Sequence, residues 1–106
     1  MKVENMVSNR SQREIPNQFI ITDGNTEVFQ SYKTIVIKIK NGKTYIDNGY
    51  PFSTTTSKYA SAFLGETSKE IKRKIKTGEY ILTDLNKWAF NYSYNERKKL
   101  KMVYAR

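Results

Sequence analysis

Lys69, Lys72, Arg73 and Lys76 are the residues whose type and spacing most directly describe a chemistry. At 100° per residue of a helix they gather on one side, with Ile71 and Ile75 on the other. Four cations in line over about two turns, roughly 10 Å, match a run of backbone phosphates and would release the counterions condensed there. The competing reading is a solvated face, because lysine is a good surface helix former. Arg97, Lys98, Lys99, Lys101 and Arg106 repeat the pattern near the C-terminus, and two such stripes strengthen the case for a basic patch. A third group, Lys38, Lys40 and Lys43 with Tyr45, falls on one side of a strand pair. Lys40 opposite Lys43 is a like-charge pair that costs the sheet slightly unless an anion offsets it; salt screens such a pair when it is exposed, so the solvated reading is the stronger one there. None of the three groups specifies a base sequence. Trp88, Phe90, Tyr92 and Tyr94 alternate like a strand and offer rings for stacking on bases or on a protein, although aromatics at this spacing more often pack a sheet.

Catalysis has little to work with. Histidine and cysteine are both absent, which removes the commonest general base, the triads built on it, thiolate nucleophiles and most transition-metal sites. Asp23, Asp47 and Asp84 with a nearby lysine are a conceivable Mg²⁺ set, but all three fall at expected strand ends or turns, where Asp serves the backbone. The five glycines form no phosphate loop, dinucleotide fingerprint or calcium loop. We therefore expect no enzyme activity, no metal, no cofactor and no small-molecule substrate.

The charge balance points the same way as the basic stripes. Residues 1–52 hold seven Lys or Arg and five Asp or Glu (net +2) and residues 53–106 hold twelve and five (net +7), which together give the formal +9. A field of one sign concentrated in half a chain attracts polyanions, so nucleic acid or a nucleoprotein complex is the expected partner. The alternative is charge that serves solubility alone. No stretch approaches the ~20 apolar residues of a membrane span, and the opening MKVENMVSNRSQREIPNQ lacks the apolar core of a signal peptide. Without disulfides or leader, the expected location is the cytoplasm, with no membrane association.

The chain of 106 residues suits one domain. Residues 1–17 are polar and without periodicity, and are expected to be a flexible arm. QFIIT and TEVFQSY about Asp23-Gly24-Asn25 predict a hairpin. KTIVIKIK and KTYID about Asn41-Gly42 predict a second, with a two-residue type I′ turn setting Lys40 opposite Lys43, Ile39 opposite Thr44, Lys38 opposite Tyr45 and Ile37 opposite Ile46. Alternation then puts Ile35, Ile37, Ile39, Thr44 and Ile46 on one face. Ser53 or Thr54 caps a helix burying Thr56, Tyr59, Ala62 and Phe63, widened by Ala60 and Leu64 and ended by Gly65. Thr67 and Glu70, in capping-box spacing, open a second helix ended by Gly78. EYILTDL is a further strand, and the tail reads as extended to about Tyr92 and then helical. The expected architecture is α+β: an antiparallel sheet of four to five strands packed on one face by two short helices, over residues 18–86, followed by an aromatic and basic extension or helix over 87–106.

The blocks VFQSY (28–32), TTSKYASAFLGE (55–66) and KIKTGEYILTDLN (74–86) resemble those of a family of small uncharacterised proteins from phages and other mobile elements of Gram-positive bacteria. The resemblance covers roughly residues 17–86 and carries no catalytic residues. It implies a phage-type accessory protein, an inhibitor of host defence or of nucleic-acid machinery as anti-CRISPR proteins are. A direct DNA- or RNA-binding module and a self-assembling structural protein are the alternatives.

Overall fold

Residues 1–87 are described by the computed structural model, and in chain order they form β1 (Lys2–Val7), β2 (Glu14–Asp23), β3 (Thr26–Ser31), β4 (Thr34–Lys40), β5 (Lys43–Asp47), α1 (Thr54–Leu64), α2 (Ser68–Lys76) and β6 (Tyr80–Thr83). The six strands make one sheet in sequence order, antiparallel throughout except that β6 runs parallel to β5. The architecture is thus α+β, with one or two strands more than the four to five expected. A parallel neighbour cannot be reached by a hairpin and needs a crossover, which α1 and α2 supply between Asp47 and Tyr80.

The better-specified hairpin folds as its turn dictates. Asn41 (φ 51°) and Gly42 (φ 77°) take the left-handed values of a type I′ turn, and the register of β4 on β5 is the expected one from Lys40 opposite Lys43 to Ile37 opposite Ile46. Ile35 departs from the expected alternation. Against β3, Ile37 faces Phe29 while Ile35 faces Gln30, so Val36 is an extra residue, and this bulge turns Ile35 to the face that carries Lys38.

The other correction is at the N-terminus, where residues expected to form a flexible arm hold β1 and the start of β2. β1 pairs with β2 from Lys2 opposite Thr22 to Asn5 opposite Phe19 and then slips to Val7 opposite Glu14. Pro16 is tolerated inside β2 because the β2–β3 ladder begins only at Gln18 and the β1 pairing skips Pro16, so its missing N–H breaks no ladder bond. β1 is an edge strand with a single buried residue, Met6. That explains why no hydrophobic period marked it.

One core lies between the sheet and the helices. Phe29, Ile37 and Ile46 are fully buried there with Ala60 of α1, and Phe63 stacks on Phe29 with ring centroids 5.7 Å apart and planes 25° from parallel. Ser53 caps α1 by accepting from Thr56 N–H at 3.2 Å, and Gly65 ends it with φ 67°. Ala62, expected on the buried side, is exposed. Residues 88–106, and with them the expected C-terminal extension or helix, lie outside the described residues.

Candidate functional site

α2 is built to turn one face to the sheet. Thr67 Oγ1 accepts from Glu70 N–H at 3.2 Å and Glu70 Oε1 accepts from Thr67 N–H at 3.1 Å, the reciprocal box that fixes the first turn. Ile71 is buried and Ile75 packs against the core, while Gly78 (φ 83°) follows the C-terminal cap at Thr77. With the apolar side so anchored, Lys69, Lys72, Arg73 and Lys76 are all exposed, as their spacing requires.

Whether that face keeps its charge depends on the nearby acids, and these are engaged elsewhere. Glu70 closes the capping box. Glu66 and Glu79 both pair with Lys74, the latter at 3.6 Å, and Tyr80 Oη donates to Glu66. Lys74 sits 5.2 Å from the centroid of the Tyr80 ring. Burial pushes the Glu66 carboxyl up, but the hydrogen bonds from Lys74 and Tyr80 and the charges of Lys74 and Arg73 outweigh it and hold it below its ordinary value. The bond to Glu66 raises Lys74 against the opposing effect of burial, and burial together with the Glu66 bond raises Tyr80. Lys74 is therefore the cation of α2 spent on tertiary structure. Among the described residues, Lys69, Lys72, Arg73 and Lys76 form no ion pair.

The third group of lysines is not brought to this face. Ile37 and Ile46 point toward the helices, so their strand neighbours Lys38 and Tyr45 point away, and Lys40 and Lys43 follow them. Lys40 and Lys43 are exposed and directly opposed, and Lys38 is half-buried. Two cationic surfaces on opposite sides of the sheet are the result. The remaining candidates, Arg97, Lys98 and Lys101 together with Lys99 and Arg106, lie outside the described residues, as do the aromatics from Trp88 to Tyr94.

Asp47 and Asp84 serve the backbone. Asp47, buried at the end of β5, accepts from Gly49 N–H (2.9 Å), Leu85 N–H (2.9 Å) and Asn86 Nδ2 (3.0 Å), and Asp84 accepts from Asn86 N–H (3.0 Å). Among the described residues no three acidic side chains gather. A cleft between sheet and helices is lined by Ile37, Ile46, Tyr50, Phe52, Ala60 and Ile71, with Ser57 and Ser68 as its polar groups. It is a continuation of the core, with few groups to orient a ligand. Sequence reasoning missed the Glu66–Lys74–Tyr80 cluster and the Asp47–Asn86 link. The first had a weak signal, since Lys74 falls away from the other four cations on the helical wheel; the second joins residues far apart in the chain and had none.

Fold and surface together define a small α+β protein with a helix, α2, whose cationic face forms no ion pair among the described residues. The chain belongs to a family of unknown function (DUF8033), whose model matches residues 1–79, from the first strand to just short of β6. No curated protein and no solved structure matches it. The resemblance to an uncharacterised family holds at that level, and the family's description says nothing of phages or mobile elements. No helix among the described residues is long and apolar enough to cross a membrane.

Proposed function

We propose that this protein is a non-catalytic binding protein that engages a polyanion, either nucleic acid or a nucleoprotein complex in the cytoplasm, through the exposed cationic face of α2. The supporting observation is that Lys69, Lys72, Arg73 and Lys76 stand exposed on one helix while Glu66, Glu70 and Glu79 are committed to Lys74 and the capping box. A solvated helix designed only for solubility would more commonly interleave its cations with acids one turn away. The finer form of the reading is an accessory inhibitor of host defence or nucleic-acid machinery, of the kind to which anti-CRISPR proteins belong. It draws on the resemblance of the three sequence blocks to phage and mobile-element proteins.

Binding to random duplex and single-stranded DNA, followed by anisotropy across a salt series, tests the cationic face. Direct binding requires affinity to fall linearly on a log–log plot with salt. Replacing Lys72, Arg73 and Lys76 together by Ala should flatten the duplex slope by up to about 2.7, three contacts at roughly 0.9 each. An unchanged slope in the triple variant rejects α2 as the binding face. No binding by the wild type even at low salt rejects direct recognition of nucleic acid. A host complex then remains as the partner only if nuclease-treated lysate yields one whose capture the same triple variant loses.

A further inference from the structure

The cationic face of α2 and the cleft between the sheet and the helices adjoin. Ile71 lines the cleft, and Ser68 and Pro51, the exposed members of its lining, mark its mouth. Lys72 follows Ser68 by four residues, which places it about 40° further round the helix and about 6 Å along its axis. Lys76 and Lys69 come next in the same direction, about 80° and 100° from Ser68, and all three lysines are exposed. Lys74, committed to Glu66, lies on the other flank, beyond Ile71. The mouth of the cleft is therefore bordered by the exposed cations and not by the Glu66 cluster.

The cleft itself is small and apolar. Its volume of about 160 Å³ is close to the roughly 150 Å³ of an apolar cavity that accommodates benzene, which is room for one six-membered ring and not for a fused pair. Tyr50 and Phe52 supply its aromatic wall, with their rings edge to face at 84° and centroids 5.8 Å apart. Both are half-buried, so part of each ring meets solvent. The two polar side chains of the lining already face partners within the fold: Ser57 Oγ donates to Phe52 O at 3.3 Å, and Ser68 Oγ lies 3.5 Å from Ser61 Oγ. A ring seated there is held by its shape and its apolar surface, as in recognition that tolerates sequence.

The occupant that satisfies both features joins a single ring to an anion about one helical turn away. A nucleotide does so through one sugar. The cations also continue in line beyond Lys72, which fits a repeating anion better than a lone carboxylate beside an aromatic side chain. A duplex keeps its rings stacked and paired, whereas a single strand can splay them out. We propose that the cleft is a base-docking site for single-stranded nucleic acid, taking one unstacked pyrimidine while the adjoining phosphates run along Lys72, Lys76 and Lys69. Resting on the reading of α2 as a polyanion-binding face, it narrows the polyanion to a single strand and adds Tyr50 and Phe52 to the site.

Three labelled DNA oligomers of equal length and charge test this by anisotropy with the full chain: one wholly abasic, one with a single central thymine and one with a single central adenine. The thymine should tighten binding by about fivefold or more over the abasic strand, and the adenine should gain less. Equal, salt-dependent binding of all three would overturn base docking while leaving the cationic face in place; no binding of any at low salt would overturn both. An adenine gain as large as that of thymine would overturn the assignment of a single-ring base. Ser68→Phe, which sets a ring at the mouth, should make the thymine-bearing and abasic strands bind alike, and a thymine gain that survives in the folded variant contradicts the proposal. In the wild type, the methyl resonances of Ile46 and Ile71 should shift with the thymine-bearing strand and not with the abasic one. Shifts confined to residues outside the cleft would overturn the proposal, and this measurement decides should the variant not fold.

Discussion

Glu66, in the link before the cap of α2, joins two elements at once, since Lys74 belongs to α2 and Tyr80 opens β6. In the folded chain the bonds from Lys74 and Tyr80 outweigh burial and hold its carboxyl below its ordinary value. That contribution to stability is complete above the unfolded value and is lost as pH falls through the lower folded one. Lys74 and Tyr80 are raised above their ordinary values, so their contributions are complete below the unfolded values and are lost as pH rises through the folded ones. A stability plateau bounded on both sides follows, and Glu66→Gln should flatten the acid limb at and below the ordinary carboxylate range while lowering the plateau. Urea denaturation at a series of pH values checks this, and an acid limb as steep in the variant as in the wild type would contradict it. Gly42 supplies a second case at this scale. A Cβ built there meets nothing within 4 Å, yet φ is 77°. The cost of Gly42→Ala is therefore conformational alone, about 1 kcal/mol, measurable as a lowered denaturation midpoint.

At the scale of elements, α2 is short and depends on its first turn. Thr67→Ala leaves Glu70 N–H without its acceptor and should cost about 1 kcal/mol, whereas Thr67→Ser, which keeps the oxygen, should cost clearly less; equal losses would mean that the methyl group, not the cap, matters. Elements whose signals are local were legible in the sequence. Asn41-Gly42 set a register that holds pair by pair, and Ser53, Gly65, Thr67 and Glu70 bounded both helices correctly. What escaped depended on partners distant in the chain. β1 buries only Met6 and exists because β2 offers it an edge. β6 is parallel because a two-helix crossover returns the chain to β5. Ile35 lies on the unexpected face because Val36 bulges against β3, and the bulge sits where Asn86, far along the chain, takes over Ile35's backbone groups. The cationic face of α2 was legible for the same reason as its cap, both being matters of spacing within one helix. The diversion of Lys74 into a tertiary cluster was not.

At the scale of the whole molecule, the sheet divides the positive charge. Lys69, Lys72, Arg73 and Lys76 lie on the helix side and Lys40 and Lys43 on the other, so a single stretch of polyanion seated on α2 cannot neutralise both sets without wrapping the sheet. Direct Coulomb coupling between them through solvent is weak, because at physiological salt the screening length is about 8 Å, below the roughly 10 Å that separates layers packed face to face on a sheet. Replacing Lys40 and Lys43 by Ala should therefore leave the salt slope of binding unchanged, in contrast to the flattening expected from the α2 triple variant. The same pair of substitutions removes a directly opposed like-charge pair and should raise stability by about 0.2–1 kcal/mol. Measuring both quantities on one variant separates the effects: higher stability with an unaltered slope locates recognition on α2. A slope flattened by the hairpin substitutions as much as by those on the helix would instead mean that the partner wraps both faces or binds the opposite one.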